Sequence, residues 1–350
     1  MSAIDGEIMS LVGRRMDVAR EVGRTKRKDN LDIRDTSREE LVVRSAVEKA
    51  QTRGVDSETA TAIAETLIDA AVRVQSEDFD RYLDDKKAMV VGAGRTGAWT
   101  AGFLSNRGAE VSVFDPRAKL EGYPNLQTPA EHAKDADLII IASPLGVARS
   151  DMQLILSSSP RGVIFDVCSV KAHMRDTLMT GVKEGLNVTS AHPMFGPNVA
   201  TPRGENVLVC GCGCESADEV VKDLYKRAGA NVVSVALDEH DKLIAYILGA
   251  PHLCTLLFGL VTMRSSFAAH RLADLSGPSF SKLSNLASSI SNESRRVYHD
   301  IQRFNPESIS MLDSMISAID ELKTASLSDN PAAFAGIMDA EKEYFERWPR

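Results

Sequence analysis

The 350-residue sequence predicts three parts: an all-helical N-terminal segment, a central α/β segment on an open, mostly parallel sheet, and an all-helical C-terminal segment. Three observations carry this. Residues 1–84 lack proline and repeat apolar residues at helical spacing. Short apolar strands then alternate with helical stretches from Lys86 to Asp238, and beyond Asp238 the strand pattern stops.

The first helix carries Ile4, Ile8, Leu11, Val18 and Val22 on one stripe, which is expected to face inward. Continuing that stripe places Arg15 and Lys26 on the same face. Two inward cations are costly unless an anion neutralises them, although long basic side chains also reach solvent from such positions. A turn is expected around Asn30–Asp35, followed by Thr36 or Ser37 capping a second helix with Glu39 or Glu40 in its first turn. Gly54 ends that helix. A third runs from about Asp56-Ser57 to Tyr82, with Gln75 in step with Ala64, Ile68, Ala71, Phe79 and Tyr82. A short hinge near Asp84-Asp85 divides the chain into domains 1–84, 85–237 and 238–350.

The central strands read AMVVG, EVSVF, DLIIIA, GVIFD, NVLVC and NVVSV. Between the first and second lies Gly92-Ala93-Gly94-Arg95-Thr96-Gly97, a G-x-G-x-x-G that follows a strand and opens a helix. Such glycines allow a tight turn and let a pyrophosphate approach the helix N-terminus, the arrangement of a Rossmann dinucleotide site. Asp115 ends the second strand 18 residues past the last glycine, where a carboxylate accepts from ribose hydroxyls and repels a 2′-phosphate. The expected cofactor is NAD, with Ser143 completing the contacts, although Arg117 nearby keeps NADP open.

Composition narrows the classes. A net charge of −8 argues against nucleic-acid binding, and residues 1–30 lack the apolar stretch of a secretory signal, so a cytoplasmic protein is expected. Leu243–Val261 is long enough to span a bilayer, but Pro251 and His252 at its centre favour a helix buried in a domain or dimer. The five cysteines include a Cys210, Cys212, Cys214 run whose alternate spacing suits one strand face rather than a zinc site, so no metal is expected.

Two further strings, Asp166-Val167-Cys168-Ser169-Val170-Lys171 and His192-Pro193-Met194-Phe195-Gly196-Pro197, join Glu239-His240-Asp241 and Pro251-His252. Their order and spacing over about residues 86–345 resemble the prephenate and arogenate dehydrogenases. That resemblance implies a nicotinamide-binding domain, a helical dimerisation domain and an active site between them. It puts His192 as the base at the C4 hydroxyl of prephenate, a task that suits an imidazole. Ser169 would orient that hydroxyl or the His192 ring, and His252 and His240 would contact substrate. The family's ring-carboxylate arginine position holds Ser281, and Lys282 follows one residue later.

In residues 1–84, Arg15, Lys26, Ile33-Arg34-Asp35, Arg38-Glu39 and Gln75 resemble the all-helical chorismate mutases, whose helices intertwine as a dimer. The resemblance puts Arg15 and Arg38 at substrate carboxylates, Lys26 and Gln75 at the ether oxygen, and Asp35 and Glu39 at the hydroxyl. A pericyclic rearrangement needs a held conformer and charge stabilisation rather than a nucleophile. The family's arginine, seven residues before the aspartate of a Leu-Asp or Ile-Asp pair (here Ile4-Asp5), would fall before Met1, so weak but measurable mutase activity is expected from the chain as written. The resulting expectation is a homodimeric enzyme that makes prephenate from chorismate and oxidises it with NAD. The alternative is a dehydrogenase whose helical module only senses a ligand or dimerises.

Overall fold

The computed structural model describes residues 2–28, 36–76 and 81–348. Three helices come first: α1 (Ser2–Lys28), α2 (Thr36–Gln51) and α3 (Ser57–Ser76). Asp56 caps α3 by accepting from the Thr59 amide at 2.8 Å, as its position before the apolar repeat predicts. Gly54 takes φ +76° in the turn after α2, a conformation that favours glycine.

The helix α1 differs from expectation. Ala19 and Gly23 are buried toward α3, with Arg15 and Lys26 half-buried on the same side. Ile4, Ile8, Leu11, Val18 and Val22 are exposed. The apolar period was right, but Ile4, Ile8 and Leu11 are not covered by the described residues, while Val18 and Val22 border a cavity shared with Ala19, Ile68 and Ala71. The expected turn at 30–35 lies outside the described residues. The end of α3 is also corrected: Tyr82 and Leu83 sit in a separate turn against the α/β core, where the Tyr82 hydroxyl donates to the Leu224 carbonyl at 2.6 Å.

The central elements run β1 (Lys87–Val91), α4 (Arg95–Ser105), β2 (Glu110–Phe114), α5 (Pro129–Ala133), β3 (Leu138–Ile141), α6 (Leu145–Leu156), β4 (Val163–Asp166), α7 (Arg175–Lys183), β5 (Val188–Pro193), β6 (Asn206–Gly211), α8 (Glu215–Arg227) and β7 (Asn231–Ala236). They form one sheet of order β2-β1-β3-β4-β5-β6-β7. Every neighbouring pair is parallel except β5 with β6. Side chains alternate between faces. Met89, Val91, Ile139 and Ile141 pack on α6 and α7, while Val90, Ile140 and Phe165 pack with Phe103, Leu104 and Leu224 of α4 and α8.

The C-terminal helices are α9 (Leu237–Ile244), a π turn (Ala245–Gly249), α10 (Ala250–Met263), α11 (Ala269–Asp274), α12 (Pro278–Ser291), α13 (Arg295–Phe304), α14 (Ser308–Leu327) and α15 (Ala332–Glu346). Leu237, Ile244 and Ile301 enter the core on the α6 side of the sheet, which fixes α9 and α13 against it. The π turn ends just before Pro251, where the helical ladder loses a donor. Leu237–Met263 is long and apolar enough to cross a membrane by length and composition alone. Leu237, His240, Ile244, Ala245 and Gly249 are buried, but Tyr246 and Ile247 of the π turn and Leu256, Leu260, Val261 and Met263 on α10 are exposed, so this chain alone does not bury the stretch as a domain helix.

Candidate active site

The carboxyl edge of the parallel strands collects the chemistry, as in other open α/β sheets. At the end of β1, Gly92 has φ +111°, and a Cβ there would lie 2.7 Å from the Ala142 carbonyl oxygen. Only glycine fits both constraints. A Cβ at Gly97 would run into the Gly92 carbonyl, so that residue lets α4 close onto the turn. Gly94 precedes α4 with no side-chain cap, and nothing would meet a Cβ on it within 4 Å. The first amides of the helix thus lack a side-chain cap and the backbone at Gly94 is open to close approach, which suits an anionic group.

Asp115 accepts from the amides of Ala93 (2.8 Å), Arg117 (2.8 Å) and Ala118 (3.2 Å). Partial burial pushes its pKa up, but those donors prevail and hold the carboxyl below its ordinary value. This turn, with Ser143 donating to the Val91 carbonyl beside it, fits a dinucleotide. Arg95 points elsewhere: it pairs with Glu293 at 3.0 Å and donates to Asn198 at 2.6 Å, tying the glycine loop to the segment after β5 and the turn before α13. Thr96 is exposed in the first turn of α4.

Three strands along from β1, His192 lies near the carboxyl end of β5. It is buried, with Nδ1 3.0 Å from Nε2 of His240. His240 Nδ1 is in turn 2.7 Å from the Asp241 carboxylate. His240 was expected to touch substrate, yet it is fully buried and both its ring nitrogens are occupied, so it stands behind His192 instead. Burial, then His240, then Lys171 hold His192 well below the ordinary histidine pKa. Beneath it, Lys171 and Asp166 form a buried ion pair at 2.7 Å, and the same ammonium donates to the Ala191 carbonyl at 2.7 Å. Sequence reasoning quoted this lysine only as part of a string. Its signal was a charged residue inside an otherwise apolar loop after a strand.

Ser169 is half-buried on that loop. His252 packs against Tyr298 with ring centroids 4.2 Å apart and the planes tilted by 35°, and its Nδ1 is buried without a partner. Lys282 is exposed on α12, and no described contact brings it to His192.

In the N-terminal domain, Arg15, Lys26, Arg38 and Glu39 converge on a cavity of about 240 Å³ floored by Ala19, Ile68 and Ala71. Arg15 also donates to the Leu67 carbonyl. Three cations against one carboxylate make this lining suited to an anion. Asp35 and the Gln75 side chain lie outside the described residues.

A glycine turn with a ribose-directed carboxylate and a buried imidazole on the same sheet edge define a nicotinamide-dependent dehydrogenase, here preceded by a cation-lined helical domain. The chain matches the family model for type II chorismate mutase over residues 1–76. It also matches those for the prephenate dehydrogenase nucleotide-binding domain over 117–210 and dimerization domain over 237–340. The chain belongs to the bifunctional chorismate mutase–prephenate dehydrogenase family. The T-protein of Haemophilus influenzae is 21% identical, with 99% of this chain and 90% of that protein covered. A probable arogenate/prephenate dehydrogenase of Methanocaldococcus jannaschii is 23% identical over 74% of this chain, which spans 60% of that relative's length. The Aquifex aeolicus prephenate dehydrogenase, solved with hydroxyphenyl propionate and NAD+, superposes with a TM-score of 0.62 at 16% identity, covering 75% of this chain and 98% of that one. That likeness is one of fold.

Proposed function

We propose that the N-terminal domain rearranges chorismate to prephenate and that the other two domains oxidatively decarboxylate prephenate to 4-hydroxyphenylpyruvate with NAD, in a cytoplasmic homodimer. The observation that carries the dehydrogenase reading is the buried His192 on the sheet edge that also bears the glycine turn. Bound NAD supplies the hydride acceptor. His192 takes the proton of the C4 hydroxyl, Ser169 orients that hydroxyl, and His252 lines the substrate pocket. Lys282 is the proposed cation for the ring carboxylate. It offers charge without the bidentate fork of an arginine. Gly92, Gly94 and Gly97 admit the pyrophosphate, and Asp115 holds the ribose. The matched dimerization domain and the exposed apolar residues of α1 and α10 support the homodimer.

In the mutase, Lys26 and Gln75 stabilise charge on the breaking ether bond, while Arg15 and Arg38 hold the carboxylates and Asp35 and Glu39 the hydroxyl. Feeding chorismate, prephenate and arogenate in parallel and following NADH tests both halves. Prephenate and chorismate should each give NADH. Lys26→Ala should slow the chorismate-fed rate by on the order of 10²–10³ and leave the prephenate-fed rate unchanged. NADH from prephenate but none from chorismate would show a helical domain that binds without catalysing.

Cofactor choice gives a separate expectation. Asp115→Ser loses charge-assisted hydrogen bonds to the ribose worth about 1.5–3 kcal/mol. NAD affinity should fall while NADP affinity rises, as read by titration with each cofactor. An unchanged ratio would remove Asp115 from recognition.

A further inference from the structure

We infer that His240 and Asp241 are positioning residues that fix which ring nitrogen of His192 is bare and share the charge that His192 takes up. This rests on the reading of His192 as the proton acceptor. The assignment follows from the fixed carboxylate. Asp241 accepts from the amides of Lys171 (2.8 Å) and Ala172 (2.7 Å), and Asn305 donates to its backbone carbonyl at 2.8 Å. Burial pushes the Asp241 pKa up, but His240 and these amides outweigh it and keep the group ionised. An ionised carboxylate only accepts, so His240 Nδ1 carries a hydrogen. Burial, the largest influence on His240, keeps that ring neutral, which leaves its Nε2 bare. Two bare nitrogens 3.0 Å apart would repel, so His192 Nδ1 carries the hydrogen between the rings. His192 Nε2 is then the bare nitrogen, free to act as base.

The same chain answers an energetic problem. His192 is buried, and Lys171, the cation that acts on both rings, has its charge matched by Asp166. Charging His192 there costs several kcal/mol unless a counter-charge is available. Asp241 is that counter-charge, and it acts through His240. As the substrate O–H bond breaks, an N–H bond forms at His192 Nε2. The O–H electron pair becomes the carbonyl bond while the hydride leaves for the bound cofactor. The Nδ1 proton is drawn toward His240, and positive charge spreads toward Asp241. When the ring carboxylate departs as CO₂, its bonding electrons aromatise the ring and end on the C4 oxygen. That oxygen recovers its proton from Nε2, so no proton need cross to bulk water.

Two measurements test this on the full chain. Nitrogen-15 shifts of the histidine rings in the cofactor-free protein should show His192 protonated at Nδ1 and bare at Nε2. The reverse tautomer overturns the inference. The pH profile of kcat/KM for prephenate is then compared among His240→Leu, His240→Gln and Asp241→Asn. His240→Leu should lose on the order of 10²–10⁴ in kcat, as loss of tautomer control does elsewhere. His240→Gln, whose carbonyl can accept from Nδ1, should recover part of that loss. Asp241→Asn should move the acidic limb to lower pH, which a purely structural role would not do. Wild-type rates and limbs in all three variants would overturn the relay, provided that His192→Asn is inactive. Failure of the wild type to oxidise prephenate would instead sink the functional reading. If the leucine variant does not fold, the wild-type tautomer still decides.

Discussion

Replacing His192 with asparagine should lower kcat for prephenate by about 10²–10⁴, the usual range for a lost general base, and leave NAD affinity within about twofold. Asparagine keeps a side-chain amide near Nδ1's place, so the contact to His240 can survive while the proton acceptor is gone. The ring is buried at the end of β5, away from the glycine turn on β1, so the cofactor cradle should not feel the change. Steady-state turnover with saturating NAD and a separate NAD titration check the two halves. Near-normal turnover would assign the proton to another group.

Lys171→Met should destabilise the protein by about 3–5 kcal/mol, the range for breaking a buried ion pair from one side. Lys171 and Asp166 have side-chain exposures of 1% and 0%. Asp166 also accepts from the Ser190 hydroxyl at 2.6 Å and the Cys168 amide at 2.9 Å. Methionine fills much the same volume but leaves that carboxylate without its cation. Burial pushes the Asp166 pKa up, and Lys171 with the hydrogen bonds more than reverses it. Its folded value therefore lies below the unfolded one. The stability from this group is full above the unfolded pKa of about 4 and is lost as pH falls through the folded value. Urea midpoints at neutral pH should show the full deficit, and the gap between wild type and variant should narrow in acid. Adding Asp166→Asn should restore part of the loss, because no charge is then stranded. A midpoint within error of wild type would mean that water reaches the pair.

The glycine turn and Asp115 were legible because their contacts run between residues close along one βαβ unit. Six of the seven strands were legible for a similar reason, since each declares itself by a short apolar run, whereas β5, which carries His192, was not among the strands read. His192 was found through a contiguous string. Its partnership with His240 was not, because 48 residues separate them and only the docking of α9 onto the sheet brings them together. The Glu239-His240-Asp241 string pointed through its resemblance only to His240 at the substrate. The structure uses two of its residues as a dyad. The α1 stripe shows a related limit. Periodicity reveals that Ile4, Ile8 and Leu11 share a face, but cannot say whether the chain itself or another molecule covers it. Tyr82 kept helical step with α3 by coincidence, and its hydroxyl serves the α/β core instead.

The apolar residues left uncovered on α1 and on α10 belong to two different domains of one chain. If each face meets its own likeness on a second copy, symmetry decides what can be built. A closed pair requires both contacts to share a single twofold axis, so that satisfying one brings the other into place. With separate axes, each molecule would recruit a new neighbour at either end and the assembly would grow as a chain. The stretch between α3 and β1 sets where those axes fall. Its length is then a constraint on closure of the particle, independent of any role in catalysis.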